Sequence, residues 1–364
     1  VLIDRKMRRR IAAVTGLTLA SAPALALPAR PALILPPALS EKAEIAGHRL
    51  GIRDYELAML MMAKMMPGVG AQGTGGGASA AGVDIQLGTA SDLDALSTTG
   101  WDLLIAKSRA NATDWVWRDS ARGMSKRLAS NTQSAEASFS SYATHLSSGN
   151  AVLYRFKNLP GVLSVVSYTG TGSPLTVAHA LASVPGMMII RRSDGLADWL
   201  VYHRSLSAEG YLYLNTTAGY TAGPYSGYFN NTSPTSSVFS VGNDSYVNAS
   251  GAAHIAYVFG HDTTSTGLIQ CGTFTTNGSG VGTFATGWAN GAQLALIHNV
   301  ATSGPWELFD TARTPTFSGN DARVSMNSSA AEDSVARVSQ SSGTLTFSGL
   351  NTSEQYIGAF IRAA

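Results

Sequence analysis

One long-period spacing constrains this chain more than any other feature. Trp115, Trp199 and Trp306 each follow an apolar run at the same distance, counted from Ile105, Ile189 and Leu296. Those runs read Leu104-Ile105-Ala106-Lys107, Met188-Ile189-Ile190-Arg191 and Ala295-Leu296-Ile297-His298. An asparagine closes each unit, at Asn131, Asn215 and Asn327, and an apolar residue stands three before it, at Leu128, Leu212 and Val324. Trp115 to Asn131 equals Trp199 to Asn215, while Trp306 to Asn327 is five longer, an excess absorbed around 314–320. The outer copies agree further. Asp119 and Arg122 match Asp310 and Arg313, and Glu136 matches Glu332; the middle copy has His203 for the aspartate and Tyr220 for the glutamate. Self-similarity at such a period implies one supersecondary unit used three times.

Each unit reads as strands. In the middle copy, 162–168, 175–181, 187–192, 198–204, 211–215, 238–241 and 254–259 are short apolar or alternating runs bounded by Gly, Pro, Asn and Asp. Runs of that kind signal a sandwich or barrel. The closing runs 152–156 and 356–361 resemble Ile255–Phe259. The first copy lacks the opening motif of the others and reads as truncated. The expected class is all-β: tandem β-sandwich (jelly-roll or lectin-like) repeats in three degraded copies, at 83–158, 159–262 and 263–364. An extended N-terminal arm with one short helix is expected to precede them.

Composition narrows the functional classes. Charged residues are 13% of the chain, against about a quarter in an average protein. The 38 glycines suit many turns, and the low charge suits surfaces covered by neighbouring molecules. A net charge of +2 without a basic, aromatic-interleaved patch gives no nucleic-acid reading. Cys271 stands alone, so there is neither an internal disulfide framework nor a cysteine metal cluster; it reads as a small buried hydrophobe.

The first residues imitate a secretory signal, with Arg8-Arg9-Arg10, an apolar run from Ile11 to Ala22, and Ala24-Leu25-Ala26 as a small-residue cleavage site. The apolar run is too short and too interrupted by Ser and Thr to span a membrane. Pro23, Pro28, Pro31, Pro36 and Pro37 favour an extended conformation, and the Ala and Leu between them suit a strand lying on another chain. The expectation is therefore a retained attachment arm over 1–66, pinned against partner subunits. It includes a methionine-rich helix from Arg53 to Met66 that packs on its own domain or on a partner. A glycine-rich linker follows over 67–82.

No chemistry-bearing constellation stands out. Two readings fit Trp115, Trp199 and Trp306: aromatic faces for stacking on a glycan, or core rings that pack the sandwich. Asp119 with Arg122 and Asp310 with Arg313 read as a turn plus an ion pair that reaches Glu136 and Glu332. Glu307 and Asp310 are the only pair worth weighing as glycosidase carboxylates, and Glu307 replaces Val116 and Leu200 of the other copies. His145, His179, His203, His254, His261 and His298 show no metal-ligand spacing. There is no G-x-S-x-G elbow, and the Gly73–Gly77 run lacks the lysine of a phosphate loop. No catalytic residue, metal site or cofactor is expected.

Asp198–Thr217, 247–251, Ile255–Phe259 and the Trp306–Glu332 block together resemble a repeat domain of tailed-bacteriophage virion proteins. In that family a W-x-V-Y-H-R unit alternates with a W-x-x-x-D-x-A-R-x-P unit, and this chain shows the order D-A-R, H-R, D-A-R. Met124 departs from the pattern where Pro315 keeps it. The resemblance covers about 83–362 and implies a tail-fibre or tail-tip element, with a capsid decoration or head-fibre protein as the alternative. The arm lies outside the match; taken with it, other virion proteins are the expected partners through 1–66, the low charge and the prevalence of closed symmetric assemblies give homo-oligomerisation with a trimer as first choice, and the tryptophan-stacking reading adds a host-surface glycan as the contact. A secreted carbohydrate-binding protein is the competing class.

Overall fold

The computed structural model describes residues 82–317 and 320–364. The attachment arm, its methionine-rich helix and the linker up to residue 81 lie outside the described residues. The chain divides into two units, Val1–Gly73 and Thr74–Ala364, and the described residues all belong to the second.

Repeat one runs β1 (Val83–Thr89), α1 (Ala90–Asp94), β2 (Leu103–Ser108), β3 (Val116–Asp119), β4 (Lys126–Arg127), β5 (Ala137–Ser138), α2 (Tyr142–Leu146) and β6 (Asn150–Phe156). Repeat two runs β7 (Leu163–Thr169), β8 (Leu175–Ala178), β9 (Met187–Arg192), β10 (Leu200–His203), β11 (Leu212–Tyr213), α3 (Ser226–Phe229), β12 (Val238–Val241), α4 (Ser245–Asn248) and β13 (Ala253–Phe259). Repeat three runs β14 (Ile269–Thr275), β15 (Gly282–Ala285), β16 (Ala292–Asn299), β17 (Glu307–Asp310), β18 (Asp321–Ser325), β19 (Asp333–Val335), β20 (Val338–Ser341), β21 (Thr344–Phe347) and β22 (Gln355–Arg362). The fold is all-β with a few short helices.

One strand order occurs three times: β1-β6-β2-β3, β7-β13-β9-β10 and β14-β22-β16-β17, all antiparallel. Opening and closing strands pair first, and the apolar run then lies between the closing strand and the strand that follows the tryptophan. Registers agree residue by residue. Ile105, Ile189 and Leu296 face Tyr154, Tyr257 and Ala359 on one side. On the other side they face Trp117, Val201 and Leu308. Those three in turn face Leu128, Leu212 and Val324, the apolar residues three before each asparagine.

Strand periodicity explains why the central runs carry apolar residues on both faces. Side chains alternate between faces, and both faces of these strands are covered. Leu103 and Ile105, Met187 and Ile189, and Leu294 and Leu296 point into one shared core that also takes Trp115, Trp199 and Trp306. Their neighbours point outward into three separate cores. In repeat two, Met188 and Ile190 pack under the β8-β12 pair with Phe229 and Phe239. In repeat three, Ala295 and Ile297 pack under β15-β21-β20 with Trp288 and Phe347. Repeat one has helices instead of a second sheet: Leu104 and Ala106 pack against Leu93 of α1 and Tyr142 and Leu146 of α2. A capping box starts α1, Thr89 accepting from the Asp92 amide and the Asp92 carboxylate accepting from the Thr89 amide.

Repeats two and three are thus β-sandwiches, and the three main sheets also form a ring around a common apolar centre. At that centre lies a cavity of about 70 Å³ lined by Ile105, Tyr154, Ile189, Leu296 and Ala359 among others. Ala359 occupies the position that Tyr154 and Tyr257 hold in the other sheets, so one phenol ring is missing from the centre.

Candidate functional site

The residues singled out by the repeat spacing come together at the three seams between sheets. Each Trp–Asn pair forms a local latch. The amides of Trp115, Trp199 and Trp306 donate to Oδ1 of Asn131, Asn215 and Asn327 at 3.0, 2.9 and 2.9 Å. An asparagine side chain supplies here the acceptor that an irregular strand edge lacks, since a buried amide must be paired. The five-residue excess of repeat three leaves this bond intact.

The indoles then link the sheets in a directed cycle. Trp115 Nε1 donates to the Ser325 carbonyl of repeat three at 2.9 Å, and Trp306 Nε1 to the Tyr213 carbonyl of repeat two at 2.9 Å. Trp199 Nε1 donates to the Thr132 carbonyl of repeat one at 3.1 Å, which closes the ring. A backbone cycle runs beside it. The amides of Glu136, Tyr220 and Glu332 donate to the carbonyls of Ser193, Val300 and Arg109, each on the neighbouring repeat, at 2.7–3.0 Å. Asp119 and Asp310 accept their own arginines: Arg122 Nε at 2.7 Å and Arg313 Nε at 2.5 Å. The arginines extend to Glu136 and Glu332, at 3.4 and 3.2 Å.

Each aspartate also accepts a phenol from another repeat. Tyr257 Oη lies 2.9 Å from Asp119, and Tyr154 Oη lies 2.7 Å from Asp310. Burial raises both phenols well above their usual range, so they remain donors. Burial works against the charge of both arginines, but the carboxylates that face them, Asp119 with Glu136 and Asp310 with Glu332, hold them above their ordinary value. The third seam lacks this set. His203 stands where the aspartates stand, and its Nε2 lies 3.2 Å from the Gly358 carbonyl, beside Ala359. The substitutions are matched: where the aspartate is lost, its phenol partner is lost too.

A further equivalent position carries a buried donor of a different kind in each repeat. Lys107 Nζ bonds the Thr113 and Ser329 carbonyls, at 2.9 and 3.0 Å. Arg191 Nη2 bonds those of Gln133 and Ser134, at 2.5 and 2.6 Å. His298 Nε2 lies 3.0 Å from the Ala218 carbonyl, its ring stacked on Trp306. Burial lowers all three, Lys107 to about 8 and Arg191 to about 10, with Asp114 and Asp198 opposing, and His298 to about 4. Repeat spacing contained this set, but nothing in the sequence marked it as a seam.

The glycan-stacking expectation for Trp115, Trp199 and Trp306 is corrected. Their exposures are 0%, 0% and 1%, so no ring face is open to a sugar, and each indole N–H is used within the ring of sheets. Glu307 and Asp310 do not form a catalytic pair. They lie three apart on β17 and therefore on opposite faces. Glu307 contacts Arg323 and Arg337 at 2.6 and 3.0 Å, whereas Asp310 is held by Arg313 and Tyr154. Among the described residues no group of His, Cys, Asp and Glu has metal-site geometry. The Cys271 thiol is buried and pushed up to about 12 by that burial. Among the described residues no helix is long and apolar enough to cross a membrane.

These features define a class: an all-β module in which three like sheets are locked side by side through buried tryptophans and matched polar pairs. Residues 157–353, more than half of the chain, match the family described as a domain of unknown function, DUF7483, and the chain belongs to that family. The match takes in repeat two and most of repeat three and begins just after β6. No curated protein matches the sequence.

Proposed function

We propose that the chain is a structural component of a tailed-bacteriophage particle. It is tail-fibre-like or tail-tip-like, held by its 1–66 segment against other virion proteins as a homo-oligomer, and presents its β body outward. One observation carries this reading. Of the motif residues that resemble the phage repeat domain, Trp199, His203, Trp306, Asp310 and Glu332 each bond a neighbouring repeat, and Arg313 braces Asp310 and Glu332. Side chains committed in this way build a rigid scaffold, and the proposed role is mechanical display without catalysis. Mass spectrometry of purified particles, with antibody labelling in electron microscopy, tests it. Detection at the tail supports the reading, and absence from particles refutes it. Labelling over the head at high copy number would instead support a decoration or head-fibre role.

The basic, apolar and small-residue succession before Leu27 favours a second reading, a secreted carbohydrate-binding protein. N-terminal sequencing of the mature chain separates the two, because secretion requires a start near Leu27.

A further inference from the structure

Repeat two carries a tyrosine-rich face that repeats one and three do not share. Six of the chain's 13 tyrosines fall within residues 205–250, a stretch without Lys, Arg or His. Tyr211 stands where repeats one and three have Arg127 and Arg323, and Tyr213 stands where they have Ala129 and Ser325. Tyr225, Tyr228 and Tyr246 come from the long connection between β11 and β13. Tyr228 belongs to the outer core of repeat two, Tyr211, Tyr213 and Tyr246 pack against that core with part of their surface open, and Tyr225 stands outside it.

Five of them form one cluster. Tyr211 lies 5.1 Å from Tyr213, 5.5 Å from Tyr225 and 4.7 Å from Tyr228 between ring centroids, and Tyr228 is stacked 6.4 Å from Tyr246. Tyr225, 4.6 Å from Tyr228, is 40% exposed, with exposed Thr221, Ala222, Pro224 and Ser226 around it. The backbone beneath is tied down. Tyr225 N donates to the Glu209 carbonyl at 2.7 Å, Tyr211 and Thr221 exchange both amide bonds at 3.0 Å, and the Tyr213 carbonyl accepts the Trp306 indole. The hydroxyls are placed as well: Tyr213 and Tyr228 share a 2.8 Å bond, and Tyr225 donates to Asp244 at 2.9 Å.

We propose that this tyrosine cluster is a binding site for the pyranose rings of a neutral polysaccharide. Rigid tyrosines supply broad amphipathic contact at low entropic cost, and a ring face suits the C–H face of a sugar. Phenolic oxygens and the Asp244 carboxylate accept sugar hydroxyls. Glu209 and Asp244 are the only charged residues of the stretch, so uronic-acid or sulfated chains meet repulsion and no cation. A protein partner fits less well. Tyr225 is the only large apolar side chain of this stretch among the exposed ones, and protein interfaces need a wider apolar centre.

The test uses the full chain on an array of neutral and acidic polysaccharides, followed by titration of the bound species. Retention on at least one neutral glycan is expected, with little dependence on salt. Tyr225→Ala should weaken it at least tenfold in a chain that still unfolds in a single transition with the parent's urea slope, and Ala222→Arg, a bulky charge at the rim, should weaken it similarly. Tyr225→Phe should stay within about threefold. The proposal is overturned by retention on acidic glycans alone, by no retention on any neutral glycan, or by Tyr225→Ala and Ala222→Arg both binding within twofold of the parent. Particle membership is measured on virions and glycan binding on purified protein, so either proposal can fail while the other stands.

Discussion

Replacing Tyr154 by phenylalanine removes one oxygen from a fully buried seam and little else. The Tyr154 hydroxyl donates to Asp310 Oδ2 at 2.7 Å, and Tyr154 and Asp310 are 1% and 0% exposed. Asp310 retains the Arg313 amide and Nε, so the carboxylate stays paired after the change. The loss is therefore one hydrogen bond to a charged group, on the order of 1.5–3 kcal/mol. Arg313 shares the same oxygen, which places the expectation at the lower end, about 2 kcal/mol. Urea unfolding of the full chain should show a lower midpoint with an unchanged slope, since the exposed area on unfolding is the same. A double-mutant cycle with Asp310→Asn should return a coupling of at least about 1 kcal/mol. Tyr257→Phe, which breaks the matching bond to Asp119, should cost a similar amount. Equal stability of Tyr154→Phe and parent within about 0.5 kcal/mol, or zero coupling, would refute the idea that phenol–aspartate pairs lock the seams.

His203→Asp puts a carboxylate at the third seam without the tyrosine or arginine that serve the other two, and an uncompensated buried charge should cost about 3–5 kcal/mol in urea unfolding. Asn215→Ala orphans the Trp199 amide and should cost about 1–3 kcal/mol by the same measure. Ala359→Val should gain up to about 1 kcal/mol in thermal or urea unfolding, because filling a cavity returns roughly 24 cal/mol per Å³ and the void measures about 70 Å³; a loss would mean that the cavity walls have already closed. Burial lowers His203 and His298 to about 4 in the folded chain, against about 6.5 unfolded. Their folded pKa is depressed, so the unfolded chain takes up protons first: the stability they confer is complete above about pH 6.5 and is lost as pH falls toward 4. Urea midpoints measured across that window should fall steeply for the parent and less steeply for His203→Gln.

Much of this architecture is written in local order. Strand periodicity and turn residues mark the sheets, and the Trp–Asn spacing marks the latch, because the two partners flank neighbouring paired segments a short distance apart in the chain. The Asp–Arg pairs are equally legible, being three residues apart across a turn. What the indoles and aspartates meet is not written there. Trp115 finds Ser325, Tyr257 finds Asp119 and Tyr154 finds Asp310 across separations of 210, 138 and 156 residues. Which sheet edge faces which is decided only when the inward faces combine into one core. The same step turned the three tryptophans from surface candidates into buried links and left Tyr225 exposed above a tyrosine cluster that the outer core of repeat two half buries. A period in the sequence can specify a sheet three times over, but the contacts between copies exist only after the copies have packed, since hydrophobic burial has no direction of its own and the buried polar partners then select the arrangement that pairs them all.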